Sequence, residues 1–156
     1  MQKRASQMRL RSRKIGKFTA LAASEERRFG EQAGRSQREF NDQLDRLGEL
    51  NAFRHNYARS GMGRDGVSAA HWQDYQNFLG RLDKAIKAQQ QIVQDCEQTL
   101  ASHRQRWLAK RRKLESLERV LDKYKAQENA YVEKLEQKML DDLPNSQAGG
   151  FDSDDG

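Results

Sequence analysis

The chain has 156 residues, of which 29 are Lys or Arg and 23 are Asp or Glu, so its net charge is +6. Val, Ile and Thr total only nine, and Leu, Ile, Val and Phe total 28, which argues against a β-sheet and against a compact enzyme with a deep pocket. Because so few aliphatic residues are available, order depends on a regular apolar pattern along the chain.

The first predicted element is a helix over about residues 5–59. Apolar residues recur there mostly at spacings of three, four or seven, which is the helical period. Four glycines lie inside the pattern, and each costs about 1 kcal/mol relative to alanine. We therefore expect this helix to depend on packing rather than on intrinsic propensity. The apolar positions are Ile15, Phe18, Ala22, Phe29, Ala33, Phe40, Leu44, Leu47, Leu50, Phe53 and Tyr57.

A glycine-rich loop is predicted at residues 60–67. Gly61, Gly63 and Gly66 break the helical pattern, and Ser68 is a good N-cap for a second helix. Because a short connection between long helices makes them antiparallel neighbours, the two helices should pack side by side.

The second helix is predicted over about residues 68–142. Alternating steps of three and four from Trp72 to Lys138 define twenty a and d positions, of which fifteen are apolar or aromatic. The register does not slip over about ten heptads, well beyond the three or four that indicate a coiled coil. At the polar positions, His103 and Lys110 are expected to set the register, and Cys96 is expected to be a small core residue.

The predicted fold class is therefore all-α, a long antiparallel two-helix coiled coil, or α-hairpin. Residues 1–143 form one domain in this interpretation, and residues 144–156, which begin at Pro144 and end in an acidic sequence, form a disordered tail. We expect the protein to be monomeric by itself. A homodimeric scaffold with parallel helices is the alternative.

Charge and helix length both point to a partner. Residues 1–20 carry +7 and residues 101–140 carry +5, and an antiparallel hairpin brings these blocks to the end away from the loop, where they would steer it to an acidic surface. The last fifteen or so residues of helix two should overhang helix one, which would leave Tyr124, Tyr131 and Leu135 exposed. We therefore expect a partner outside the chain.

The residue types needed for catalysis are not arranged for it. The three histidines show no metal-ligand spacing, and no nucleophile–base set, phosphate loop or carboxylate pair is apparent. We predict no enzymatic activity, no cofactor and no metal. The lone cysteine suits a reducing cytosol, and the lack of any run of about 18 apolar residues predicts no membrane insertion.

The stretch from Trp72 through Tyr75, Phe78 and Leu82 to Ile86 resembles the flagellar export protein family FliJ. The later Arg106–Trp107 pair, the leucines from 114 to 121 and the Glu-Gln-Lys sequence at 136–138 fit that family's second helix, and the resemblance covers about residues 8–142. It implies a non-enzymatic stalk of the cytoplasmic flagellar type III export apparatus, located peripherally at the inner membrane.

The resemblance also implies partners. In this family the open end of the hairpin enters the export ATPase ring and promotes ring assembly and activity, a face nearer the loop contacts the membrane export gate, and export chaperones bind as well. The candidate ATPase contacts are Arg11, Arg13, Lys14, Arg119, Tyr124, Tyr131 and Leu135. The candidate gate contacts are Leu50, Phe53, Tyr57, Phe78, Leu82 and Ala85.

Two other functions compete with this interpretation. The equivalent stalk of a virulence-type secretion system would share the fold and the mechanism. A basic coiled-coil nucleic-acid-binding protein would fit the high pI of about 9.6. We predict no nucleic-acid partner, because the aromatic residues occupy a and d positions and not an exposed stacking surface.

Overall fold

A computed structural model of the protein describes residues 2–61 and 68–143. Two long helices account for nearly all of these residues: α1 spans Gln2–Gly61 and α2 spans Ala69–Asp141. No strand occurs in the described parts of the chain, and the two helices pack against each other. The predicted all-α helical hairpin is confirmed.

The helix ends differ slightly from the predicted ones. Helix α1 begins three residues earlier than expected and continues through Ser60 and Gly61, the first two residues of the predicted loop. The rest of that loop and the predicted tail at 144–156 lie outside the described residues. At the start of α2, the hydroxyl of Ser68 accepts a hydrogen bond from the backbone N–H of His71 at 3.3 Å, which confirms the predicted N-cap.

Backbone contacts divide the hairpin into two units. Residues 23–112 form one, here called the continuous unit, and the described parts of Met1–Ala22 and Lys113–Gly156 form the other, here called the terminal unit. The helices run antiparallel within each, because contacts from successively earlier α1 residues fall on successively later α2 residues. Whether the chain is one domain, as the sequence predicts, stays a prediction.

The continuous unit is held by a narrow seam of buried side chains. Its buried apolar residues are Leu82, Ile86 and Leu100 of α2 and Ala33 of α1, and all three α2 residues occupy predicted a or d positions. No large side chain among the described residues is fully buried, since two helices cover only one stripe of each other.

Polar side chains interrupt this seam, and each meets a polar partner on α1. The amide nitrogen of Gln89 donates to the carbonyl and side-chain oxygens of Gln43, at 3.0 and 2.7 Å. Farther along, His103 bonds to Ser36, and the ammonium of Lys110 donates to Glu25 at 3.0 Å. No buried side-chain nitrogen or oxygen in the described chain lacks a hydrogen bond. These pairs fix which residues face each other, because a shifted register would leave buried polar groups unpaired.

The indole of Trp107 rests on a glycine of α1. A Cβ atom added at Gly30 would lie 3.0 Å from Nε1 and 3.3 Å from Cδ1 of Trp107, closer than side chains normally pack. The same Nε1 donates to Glu26 at 2.8 Å, which holds the ring in place. Gly30 thus makes room for the indole of Trp107 in the seam of the continuous unit.

The contacts within the terminal unit contradict the predicted overhang of α2. The guanidinium of Arg4 lies over the ring of Tyr131, 6.0 Å from its centroid, and Glu128 accepts a hydrogen bond from Ser12 at 3.0 Å. The prediction that Tyr124, Tyr131 and Leu135 are left exposed by the end of α1 is wrong, since all three are half-buried. The half-buried stripe of α1 reaches back through Ala5, Met8 and Ser12, which are small or flexible and give only a weak apolar pattern in the sequence.

Helix α2 still extends past the start of α1, but by less than predicted. Beyond the level of Tyr131, the side chains of Met139, Leu140 and Leu143 are between 64% and 72% exposed. We call these three residues the terminal apolar patch. Neither helix, over the residues described, has a stretch long and apolar enough to cross a membrane.

The glycines of α1 yield a first test. Gly34→Ala should raise the free energy of unfolding by about 1 kcal/mol, because its Cβ would meet nothing within 4 Å and alanine favours the helix. Gly30→Ala should be less stable than Gly34→Ala by at least about 1 kcal/mol, because its Cβ crowds Trp107. Urea denaturation followed by circular dichroism measures both, and equal stabilisation by the two variants would contradict the seating of Trp107.

Candidate partner-binding surfaces

The start of α1 carries positive charge, most of which no described residue neutralises. Residues 2–22 contain seven basic side chains and no acidic one. Arg9 pairs with Glu128 at 3.8 Å and Arg4 lies over Tyr131, whereas the other five form no ion pair with any described residue. These five are Lys3, Arg11, Arg13, Lys14 and Lys17, and all are exposed.

The predicted ATPase contacts all lie in the terminal unit, but their accessibility differs. Arg11, Arg13, Lys14 and Arg119 are exposed and available to a partner, and Arg119 also lacks an ion pair within the described chain. The remaining three, Tyr124, Tyr131 and Leu135, are half-buried in the seam, as described above. The basic side chains therefore form the accessible part of this set.

The terminal apolar patch was not predicted from the sequence. Met139, Leu140 and Leu143 follow Glu136 and line one shallow surface at the end of α2. The signal that could have revealed it is that these residues fall outside the a and d stepping, which ends at Lys138. Exposed apolar side chains that no seam position explains indicate an interaction surface.

An aromatic cluster spans the two helices at the end of α1 and the start of α2. The ring of Tyr57 lies 4.5 Å from that of Phe78 and 5.3 Å from that of Tyr75, centroid to centroid, and Phe53 meets Phe78 edge-on at 6.3 Å. Trp72 stacks on Tyr75 at 5.6 Å. Phe53 and Trp72 remain about half exposed, so the cluster presents aromatic surface to solvent.

The predicted gate contacts divide into surface and core. Phe53 and Ala85 are exposed, and Leu50, Tyr57 and Phe78 are half-buried, whereas Leu82 is only 8% exposed and packs in the seam. Leu82 is therefore placed to support the surface from beneath and not to touch a partner. Trp72, which the sequence analysis did not include among these contacts, is the additional exposed member of the cluster.

An ion pair joins the helices beside this cluster. Arg54 donates from Nε to Oδ1 of Asp83, and its Nη2 lies 3.4 Å from Oδ2. The hydrogen bond from Arg54 lowers the pKa of Asp83 below that of a solvated aspartate, and the same bond raises the pKa of Arg54. Both side chains face solvent, so the ion pair adds little to the free energy of unfolding. Its main effect is to fix how α1 and α2 meet beside the aromatic cluster.

The described residues offer no metal-binding arrangement. No group of three or more His, Cys, Asp and Glu side chains within residues 2–61 and 68–143 could hold a metal ion. Cys96 is half-buried at its predicted d position.

A family model described as flagellar FliJ protein matches residues 3–149, which is nearly the whole chain. The chain belongs to the FliJ family. No curated protein and no solved structure gave a significant match. Membership in FliJ assigns the chain a role associated with flagellar protein export, and the family is a non-enzymatic component of that apparatus.

The Arg54–Asp83 pair gives a test by pH titration. Because the folded pKa of Asp83 is lowered, its contribution to stability is present above the unfolded pKa and is lost as pH falls through the folded pKa. We expect the side-chain carbon of Asp83, followed by NMR, to titrate at lower pH in the native protein than in Arg54→Gln. Arg46→Gln, which removes an exposed arginine elsewhere on α1, should leave the midpoint unchanged. An unchanged midpoint in Arg54→Gln would show that the pair does not form in solution.

Proposed function

We propose that this FliJ-family protein is the stalk of the flagellar type III export apparatus. Its terminal unit inserts into the ring of the export ATPase, promotes ring assembly and turnover, and so links the ATPase to the membrane export gate and to export chaperones. The observation that supports this most directly is the unneutralised positive charge of residues 2–22 in a hairpin that matches the family nearly end to end.

The charge favours insertion into an acidic ring interior. Arg11, Arg13 and Lys14 lie within four consecutive residues, so all sides of this part of α1 except the seam present cations. Because none pairs with a described residue, no ion pair among the described residues has to break when a partner binds. Arg119 adds a cation from α2 in the same unit.

The terminal apolar patch supplies the second component of this contact. Long-range charge increases the rate of encounter but contributes little to the lifetime of a complex, which depends on buried apolar contacts. Met139, Leu140 and Leu143 are exposed in the unit that carries the unneutralised cations. We therefore include them with the predicted ATPase contacts.

The aromatic cluster is the proposed gate surface. Phe53 and Phe78 present aromatic surface and Ala85 is exposed, whereas Leu82 and Tyr57 hold the two helices together beneath them. Partly exposed aromatic side chains on a firm support are typical of the residues that contribute most to protein interfaces. Export chaperones are proposed as further partners from family membership alone.

Removal of the exposed cations tests ATPase insertion. The triple variant Arg11→Ala, Arg13→Ala, Lys14→Ala should weaken association with the purified export ATPase by about tenfold or more, because each pair that is lost contributes modestly. Ring formation and ATP turnover are measured while the protein is titrated in, at low and at high salt.

The matched control for that test removes three exposed cations from the continuous unit: Arg46→Ala, Arg59→Ala, Lys87→Ala. It should retain wild-type stimulation, and its response to salt should match that of the wild type. If both triple variants lose stimulation of the ATPase equally, the effect depends on net charge and not on the terminal unit. If the first variant loses no stimulation, insertion of the terminal unit is contradicted.

Two variants test the gate surface. One changes an exposed residue that could touch the gate protein, and the other changes a buried residue beneath that surface. Ala85→Glu should abolish binding to the cytoplasmic domain of the gate protein and change stability by no more than about 0.5 kcal/mol, because Ala85 is exposed. Leu82→Ala should lower the free energy of unfolding by about 2 kcal/mol, because it leaves a cavity in the seam. Binding is followed by calorimetry and stability by urea denaturation.

Ala101→Glu, at another exposed alanine of α2, is the control for the introduced charge. It should bind the gate protein as the wild type does. If Ala85→Glu also binds normally, the gate contact lies elsewhere on the hairpin.

A further inference from the structure

The continuous unit has an arginine-lined groove that the proposed contacts do not use. Gly30 and Gly34 lie one helical turn apart on its floor, Trp107 forms one wall, and Arg27, Arg35 and Arg38 are at its rim. We call this the arginine groove. It involves neither the aromatic cluster nor any residue of the terminal unit.

The three rim arginines are exposed and form no ion pair within residues 2–61 and 68–143. On α2, the guanidinium of Arg111 lies over the ring of Trp107, 5.6 Å from its centroid, and adds positive charge beside the same wall. One of the two acidic residues in the groove, Glu26, is already engaged as the acceptor for the indole of Trp107. The three rim arginines of the groove are therefore exposed cations that no described carboxylate pairs with.

The floor of the groove allows close approach. A Cβ atom at Gly34 would meet nothing within 4 Å, so the backbone of α1 is directly accessible there. Gly30 is covered by the ring of Trp107, so Gly34 is the position on the floor where a partner helix can approach closely. At 1.5 Å per residue, Arg27 and Arg38 are about 16 Å apart along α1, which matches three turns of a partner helix.

We propose that the arginine groove binds an acidic α-helix of a partner protein. Its carboxylates would pair with Arg27, Arg35 and Arg38, while its apolar edge covers Gly34 and the ring of Trp107. Glu26 and Glu31 at the groove disfavour a polyphosphate chain, which would bring negative charge against them at every step. A helical protein segment instead carries carboxylates only on the side facing the arginines.

The probe for the test is an alanine-based helical peptide of about 20 residues with glutamates along one face, long enough to be helical in water. A second peptide with glutamine at the same positions is the reference. The full-length protein with Trp72→Phe retains Trp107 as its sole tryptophan, so fluorescence reports binding at the groove. We expect saturable binding of the glutamate peptide that weakens with salt, and no binding of the glutamine peptide.

Two kinds of variant distinguish the groove from general positive charge. Arg35→Ala with Arg38→Ala should weaken binding about tenfold, whereas Arg46→Ala with Arg59→Ala, an equal loss of exposed charge on α1, should not. Gly34→Leu retains every charge but fills the floor, and it should also weaken binding about tenfold. Gly48→Leu, also at an open glycine, should not.

Three results would contradict the proposal. Equal weakening by both arginine pairs would mean that the peptide binds the basic chain without a site. If Gly34→Leu binds normally, no helix packs on the floor. Tighter binding of single-stranded DNA than of the glutamate peptide, with the same dependence on Arg35 and Arg38, would assign the groove to nucleic acid and overturn the proposal. Circular dichroism checks that each variant keeps the hairpin helical.

Discussion

The fold depends on the pairing of polar side chains across a seam that has little apolar surface. Two helices bury only one stripe of each other, so shape alone would tolerate several registers. Gln89 on Gln43, His103 on Ser36, and Lys110 on Glu25 restrict that freedom, because a slip would leave buried or half-buried donors and acceptors without partners. This register determines which side chains lie together on each surface, from the aromatic cluster to the arginine groove.

The small number of side chains in the seam also determines which surfaces of the protein are open to a partner. A seam that uses so few side chains leaves most charged residues facing solvent, and most are not needed to hold the hairpin together. The unneutralised cations of residues 2–22, the half-exposed aromatic side chains and the terminal apolar patch are therefore available without unfolding. Each differs in chemistry from the others, so each is suited to a different kind of contact.

Most of the fold was predictable because heptad spacing is a local property of the sequence. The stripe from Trp72 to Lys138 predicted which α2 residues are buried, and Leu82, Ile86, Gln89 and Leu100 confirm it. The packing of the start of α1 on α2 was missed because Ala5, Met8 and Ser12 bury little and carry a weak apolar signal. The candidate surfaces were harder to predict: the burial of Leu82 and the exposure of Met139 depend on what the opposite helix covers.

The seat of Trp107 on Gly30 links two positions 77 residues apart in sequence. A side chain at position 30 and an indole at position 107 would occupy the same space, so neither position can change freely while the other is kept. Over evolutionary time the pair should change together, with a smaller residue at 107 wherever a side chain appears at 30. The glycine that weakens α1 as an isolated helix would then be retained as the counterpart of a tryptophan on α2.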